Sequence, residues 1–277
     1  MSEVLKFEHE AMKTTFSIRM VNVEATDARE ASRAAFSLLD ELEQSLSRYI
    51  HGSDVWQINH MRSGDSLLIH QDCYDCLQLA LQAYAATEGL FDPTIGTRIE
   101  YYKNKQSGEP PSLSGQLMLD PKRPQVHCVT AGREVDLGGI GKGYALDRLA
   151  ELLREWSIES ALLGAGSSTQ LAMGSTAWAI ELPGEDAKDS LELSSAALSA
   201  SGSSIQGAHI LFPHDSQVQS LQHTRVWVMH TSAALADAWS TAAMLTVPKT
   251  IQSFESPPPT LIYETPEGFT HWPATQA

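Results

Sequence analysis

The stretch Glu134 to Asp147, EVDLGGIGKGYALD, places four glycines in six residues between a strand-like start and an apolar helical pattern. Leu146, Leu149, Leu152, Leu153 and Trp156 share one face of a helix that the spacing predicts from about Tyr144 to Trp156. The local expectation is a strand ending near Asp136, a glycine loop, and a helix beginning near Lys142. Such a loop lets backbone approach a ligand, and the first-turn amides of the helix favour an anion beside the lysine. The same residues also suit a plain strand-to-helix turn whose glycines serve only tight packing. Two familiar phosphate loops do not match. Walker A needs G-x-x-x-x-G-K-[ST], but Asp136 stands at the first glycine and Gly143 follows Lys142. The dinucleotide pattern G-x-G-x-x-G fails because Gly139-Ile140-Gly141 runs on to Lys142, Gly143 and Tyr144.

At 277 residues with 42% apolar content the chain is long enough to bury a substantial core. Its formal net charge of -15, without a basic cluster, argues against binding nucleic acid, whose affinity is carried by clustered Lys and Arg. A small phosphorylated ligand stays open, because a local lysine, backbone amides or a divalent cation can offset the field. The start MSEVLKFEHEAM has no basic region followed by an apolar run, and no apolar run approaches a transmembrane length. As written, the chain is expected to be cytoplasmic.

Along the chain, a strand-like segment around Thr15 to Val21 precedes a helix with Ala31, Ala35, Leu38, Leu39, Leu42 and Leu46 on one face. LSRYIHGSDVWQIN reads as a loop, Ser66 to Ile69 as a strand, and YDCLQLALQAYAAT as a helix. Cys73 and Cys76 have C-x-x-C spacing, but Cys76 continues an i, i+3, i+4 apolar face with Leu79, Ala80, Ala83 and Tyr84. There is no second cysteine pair, so a buried helix face is preferred to zinc or a disulfide. Residues 101–133 lack an apolar period and read as a long surface connection, a candidate subdomain boundary within one unit spanning 1–277. AWAIELP and RVWVMH read as strands, and the last clear helix follows Thr231 or Ser232 as N-cap. On that helix Asp237 and Thr241 are four apart and share a face, presenting two hard oxygen donors of the kind magnesium accepts. A buried Asp among alanines needs such a partner; an Asp on the solvent face does not.

Taken in order, five segments resemble the ApbE family, the FAD:protein FMN transferases. AMKTTF (Ala11 to Phe16) is similar to A-M-G-T-T-F, and LSRYIHGSDVWQIN (Leu46 to Asn59) to L-S-x-Y-x-x-x-S-[ED]-[IL]-x-x-[IL]-N. GLFDPTIG (Gly89 to Gly96) is similar to G-x-F-D-P-T-[IV]-x, VDLGGIGKGYALD to V-D-L-G-[GA]-I-A-K-G-Y-x-[VL]-D, and ALADAWSTAAM to A-x-x-A-D-[AG]-[LW]-[SA]-T-A. The resemblance implies an α+β, T-fold-like architecture of mixed or antiparallel sheets flanked by helices, with FAD in a cleft and Mg²⁺ on its pyrophosphate. It implies that Asp237, Thr241 and the carbonyl of Gly139 bind the metal, that Asp136 and Lys142 contact FAD, and that Met12, Tyr49, Phe91 and Asp92 line its site. His209, beside Ile210, falls in H-I-[LIV]-D-P and becomes a candidate general base, although a bare histidine is as readily structural. With Asp237 and Lys142 it completes the implied catalytic set, Ile210 being a further flavin contact. The implied reaction moves FMN from FAD to a threonine of a target flavoprotein and releases AMP. Water in place of threonine would give a hydrolase.

Three positions depart from the family pattern: Lys13 replaces a glycine, GAGSS (Gly164 to Ser168) replaces N-x-G-G-D, and FPHDS (Phe212 to Ser216) replaces D-P-x-T-G. The two eroded motifs would also suit a non-catalytic flavin-binding protein. A zinc protein would have to use His209, His214, His223 and His230, whose spacing fits no usual ligand pattern.

Overall fold

The computed structural model describes residues 3–183, 188–202, 223–258, 260–265 and 268–272. The chain opens with the hairpin β1 (Leu5–Ala11) and β2 (Thr14–Met20), then α1 (Ala25–Leu46), α2 (Asp54–Asn59), β3 (Ser66–Leu68), α3 (Gln71–Ala86) and α4 (Gly96–Lys103). The strands β4 (Gln116–Leu119) and β5 (Gln125–Thr130) precede α5 (Gly141–Glu155), β6 (Ala161–Ala165), β7 (Thr169–Met173), β8 (Trp178–Pro183), β9 (Lys188–Leu193) and β10 (Ala196–Gly202). Last come β11 (Arg225–His230), α6 (Ala233–Ala243), α7 (Pro248–Ile251), β12 (Thr260–Thr265) and β13 (Gly268–Trp272).

Eight strands form one sheet in the order β1-β2-β6-β7-β10-β11-β12-β13, and each neighbouring pair is antiparallel. Strand alternation gives this sheet two apolar faces. Ala161, Leu163, Val226 and Val228 point into the main core with the helices, whereas Leu162 and Trp227 face a second core completed by Ile180, Leu182 and Leu193 of the β8–β9 ribbon. Helices therefore cover one face and a hairpin the other. This is the α+β arrangement of antiparallel sheets flanked by helices that the sequence leads one to expect.

The 22-residue α1 buries Ala28, Ala31, Ala35, Leu39, Leu42 and Leu46, a stripe that packs on α5, α3 and β1. Each fully buried leucine there contributes about 2 kcal/mol. The C-x-x-C pair lies in α3, where Cys73 and Cys76 are buried free thiols and burial pushes both thiols up. Ser232 is the N-cap of α6 and accepts from the Leu235 amide at 3.3 Å.

Three local expectations change. Leu46–Asn59 is a loop only as far as Ser53, whose hydroxyl accepts from the Trp56 amide at 3.0 Å and starts α2; Val55 and Ile58 bury its short apolar side. Within 101–133, β4 and β5 form a hairpin that joins β3 in a small antiparallel sheet. Its strands are too short to impose a visible period. Finally, Val135–Asp136 is not in a strand: Asn59 accepts from the Val135 amide at 2.7 Å and donates to its carbonyl at 2.9 Å. A side-chain amide here supplies both bonds a neighbouring strand would have made, and only an isolated parallel bridge joins Ile95 to Glu134.

The glycine loop ends where α5 meets α6. A Cβ on Gly143 would lie 2.1 Å from the Ala233 carbonyl oxygen and 2.7 Å from the Ala234 amide nitrogen. Neither backbone can give way, so this glycine is a packing residue at a helix crossing. The carboxylate of Asp147 in α5 accepts from the Ala233 and Ala234 amides at 2.8 and 3.0 Å and from the Ser232 hydroxyl at 2.8 Å, capping α6 from outside. Gly143→Ala is expected to lower stability by at least about 2 kcal/mol through overpacking. An unchanged urea midpoint would contradict the crossing.

Candidate functional site

A cleft of about 560 Å³ opens on the helix-covered side, within the size range of small-molecule sites, ~300–1,000 Å³. It is assembled from separate pieces of chain: the β1–β2 turn, the residues after α1, the α3–α4 connection, the glycine loop, the β6–β7 turn, the end of β10 and the side of α6 that carries Asp237 and Thr241. Met12, Tyr49, Phe91, Asp92, Asp136, Gly139, Lys142, Asp237 and Thr241 all line it. Residues up to 229 positions apart in sequence thus meet, Met12 and Thr241 being the extremes. His209 and Ile210 lie outside the described residues, as does the FPHDS segment.

Asp237 is a buried carboxylate of the site, its side chain 5% exposed, as is that of Asp92. Its Oδ2 accepts from the Gly143 amide at 3.3 Å and lies 3.8 Å from Lys142 Nζ. Its Oδ1 lies within hydrogen-bond reach of hydroxyls on two sheet strands, Ser199 at 3.2 Å and Thr169 at 3.4 Å. Asp237 therefore does not face solvent. One turn on, Thr241 lines the cleft and donates to the Asp237 carbonyl at 3.4 Å. A Cβ on Gly139 would fall 3.2 Å from the Thr241 hydroxyl and 3.1 Å from the Phe91 ring, so the absence of a side chain at 139 keeps that corner open. Glycine is used there for space: none of the four glycines at 138–143 has a positive φ. A carboxylate, a hydroxyl and glycine backbone together offer hard oxygen donors.

Lys142 donates to the Gly138 carbonyl at 3.2 Å across the loop, leaving its charge beside Asp237. Two arginines neutralise the other acids. Arg48, 9% exposed, donates to Asp136 at 3.0 Å and Glu134 at 2.5 Å, filling space that a Cβ on Gly96 would occupy. Arg133 donates to Asp92 Oδ2 at 3.0 Å, while Thr94 donates to Asp92 Oδ1 through its amide at 2.8 Å and its hydroxyl at 2.6 Å.

At the other end of the cleft the half-exposed ring of Tyr49 carries Lys13 Nζ at 4.0 Å and Lys103 Nζ at 4.5 Å from its centroid. Its hydroxyl donates to Glu100 and accepts from Lys103, both at 2.7 Å. Burial, the largest cause, pushes the phenol up, the Lys103 bond works against it, and the Glu100 bond adds to the rise. Tyr49 is therefore uncharged at neutral pH. Met12 and Lys13 form the two-residue β1–β2 turn with φ of 50° and 60°, the left-handed pair that a tight hairpin requires. In the altered β6–β7 turn, Ser168 closes on its own loop by donating to the Ala165 carbonyl at 3.1 Å.

Among the described residues, no group of three or more His, Cys, Asp or Glu side chains is placed to hold a metal ion. His223 bonds the Thr246 carbonyl at 3.2 Å and His230 accepts from the Ser232 amide at 3.0 Å, and burial lowers both imidazoles. No described helix is long and apolar enough to cross a membrane.

The model of the ApbE family matches residues 12–260. The chain belongs to the ApbE family. It is 25% identical over 304 residues to the FAD:protein FMN transferase of Salmonella typhimurium, covering 97% of this chain and 87% of that protein. The FAD:protein FMN transferase of Klebsiella pneumoniae is 26% identical over 238 residues, 78% of this chain and 75% of its own. Among solved structures, flavin transferase ApbE from Vibrio cholerae aligns with a TM-score of 0.82 at 20% identity, covering 99% of this chain and 98% of that one. The ApbE protein from Thermotoga maritima aligns with a TM-score of 0.83 at 23% identity, with 96% of each chain covered. These structures establish the shared fold.

Sequence reasoning missed two kinds of residue in this ApbE family member. Arg48 and Arg133 look like ordinary surface cations, and only the fold brings them to Asp136 and Asp92. Thr169 and Ser199 are unremarkable as letters, although hydroxyls at inward positions of otherwise apolar strands are a readable signal. Removing the Arg48 guanidinium leaves two partly buried carboxylates unpaired, so Arg48→Ala is expected to cost about 2 kcal/mol in a urea titration. A loss below about 0.5 kcal/mol, the level of an exposed ion pair, would mean the pair is solvated.

Proposed function

We propose that this chain is an Mg²⁺-dependent FAD:protein FMN transferase, moving FMN from FAD to a threonine of a target flavoprotein with release of AMP. The relatives that carry that name support the reaction, and one observation supports its location: a buried carboxylate, Asp237, stands beside Thr241 and the side-chain-free Gly139 at the floor of the cleft. The donor set fits magnesium, which typically takes one or two carboxylates and completes its shell with waters and substrate phosphates. That preference also accommodates a site with a single well-placed acid. Asp237, Thr241 and the Gly139 carbonyl would hold the ion. When bound, it polarises the phosphoryl oxygens and offsets charge on the departing phosphate.

The chain's own residues do the rest. Tyr49, Met12 and Phe91 would offer apolar surface to the flavin ring and Asp92 and Asp136 polar contacts, with Ile210, outside the described residues, a further candidate contact. Lys142, beside the N-terminus of α5, draws the pyrophosphate and balances charge as the bridge breaks. The acceptor threonine oxygen bonds to the FMN-side phosphorus, the bond from that phosphorus to the bridging oxygen breaks, and AMP leaves with the bridging oxygen. The hydroxyl proton passes to a base, for which His209 is the candidate. The enzyme itself forms no covalent intermediate.

The deciding measurement is AMP release from FAD with Mg²⁺, with and without a domain carrying an acceptor threonine. AMP formed only with the acceptor is the expected result. AMP formed without it would make the chain a hydrolase, and tight FAD binding without AMP a flavin-binding protein. Asp237→Ala is expected to reduce metal-dependent AMP release at least ~100-fold with an unchanged circular dichroism spectrum, because metal polarisation contributes several kcal/mol. Activity within a few-fold of wild type would remove the metal assignment. For Lys142→Ala, an FAD titration is expected to show weaker binding at nearly constant Tm; equal affinity would leave the lysine without this role.

A further inference from the structure

Asp237 has two carboxylate oxygens with different surroundings, and the sheet underneath explains why. β10 reads AALSASG, in which Leu198 and Ala200 face the second core and Ala197 faces the helices. The helix-facing positions thus run Ala197, Ser199, Ser201, changing from apolar to hydroxyl where α6 crosses. Directly opposite Ser199 on β7 stands Thr169, its hydroxyl 3.0 Å away. Ser240 of α6 lies 3.5 Å from Ser199 and 2.8 Å from Ser201. Thr169, Ser199 and Ser240 are fully buried.

Each hydroxyl has one proton to give, and the shortest contacts assign them in one direction. Ser201 donates to Ser240, and Ser240 donates to the Asp237 carbonyl at 2.8 Å. Thr169 donates to Ser199, and Ser199 donates to Asp237 Oδ1 at 3.2 Å. Chains of this kind polarise one another, so the terminal bond to a carboxylate is stronger than an isolated one. Oδ1 is thereby held on the sheet side. Among the described residues, Oδ2 is left with the Gly143 amide and the lysine at 3.8 Å, on the cleft side.

We infer that Thr169 and Ser199 are positioning residues that lock the Asp237 carboxylate with Oδ2 presented to a divalent cation in the cleft. Ser240, anchored by Ser201, fixes the α6 backbone to which that carboxylate is attached. The inference rests on the assignment of Asp237 as a metal ligand. A freely rotating carboxylate would exchange its oxygens and lose ordering entropy on binding the ion; a carboxylate already bonded from behind does not.

Mn²⁺, read by the electron paramagnetic resonance of the free aqua ion, is the probe, titrated with saturating FAD into wild type, Asp237→Ala, Ser199→Ala, Thr169→Val and Thr169→Ser. Outer-shell partners of metal ligands typically change affinity ~10–100-fold, so the Mn²⁺ Kd is expected to rise about tenfold in Ser199→Ala. Thr169→Val should raise it by a smaller factor, and Thr169→Ser, which keeps the hydroxyl, should restore it. A merely structural role would lower Tm without separating Val from Ser in Mn²⁺ affinity. If Asp237→Ala loses Mn²⁺ while Ser199→Ala and Thr169→Val bind it as wild type does, the metal assignment stands and the positioning role falls. If Asp237→Ala binds Mn²⁺ as tightly as wild type, the metal assignment fails and takes the positioning role with it.

Discussion

The crossing of α5 and α6 is the contact on which the cleft depends. Each helix puts a carboxylate on the other's first-turn amides: Asp147 of α5 on Ala233 and Ala234, Asp237 of α6 on Gly143. The exchange satisfies backbone donors that have no partner within their own helices and places negative charge at two positive dipole ends. It works only because Gly143 has no Cβ, which lets the α6 backbone come within reach. The two bonds differ in what surrounds them. Asp147 spends both oxygens on α6, whereas Asp237 gives α5 a single long bond and keeps one oxygen at the cleft. The same reciprocal cap that fixes the helix pair thus also fixes the geometry of the site.

A chain with net charge -15 nevertheless lines this cleft with cations as well as acids, and their pairing decides what the cleft can attract. Arg48 and Arg133 are committed to Asp136, Glu134 and Asp92 through short bonds, so they make those acids tolerable to bury and add little outward field. Lys142 is held less tightly, bonded to one carbonyl and 3.8 Å from a carboxylate. That ranking follows from bond length and geometry and could not have been read from the overall charge.

The glycine segment is the most legible part of the sequence, yet its glycines do not share a purpose. At Gly143 the reason is helix packing, at Gly139 it is room beside Thr241 and Phe91, and at Gly141 a Cβ would meet only an ordinary contact with Leu137. Both sequence-level interpretations, ligand loop and packing turn, are therefore partly right at different residues. The apolar stripes of α1, α3 and α5 are readable because helices repeat their pattern over several turns. By contrast β4 and β5 are hidden in a Pro-, Gly- and Ser-rich stretch, and the strand expected at Asp136 is imitated by Asn59, whose partner Val135 is 76 residues away. Pairings at that distance have no local signature, which is also why Arg48 does not stand out in the sequence.

Two departures from the family pattern turn out to be neighbours. β2 pairs with β6 so that Phe16 stands opposite Ala165, which brings the β1–β2 turn with Lys13 alongside the β6–β7 turn with Ser168. Against the pattern that the resemblance implies, one turn carries a cation in place of glycine and the other a hydroxyl in place of a carboxylate, and Ser168 bonds within its own loop. Both changes make this corner of the cleft more positive. Lys13 is also an L-residue held at φ 60°, a conformation that costs roughly 1 kcal/mol and that glycine would adopt freely. Its ammonium rests on the Tyr49 ring at 4.0 Å, a cation–π contact that returns about 0.5–1 kcal/mol at an exposed site. The ring contact therefore offsets part of the backbone strain.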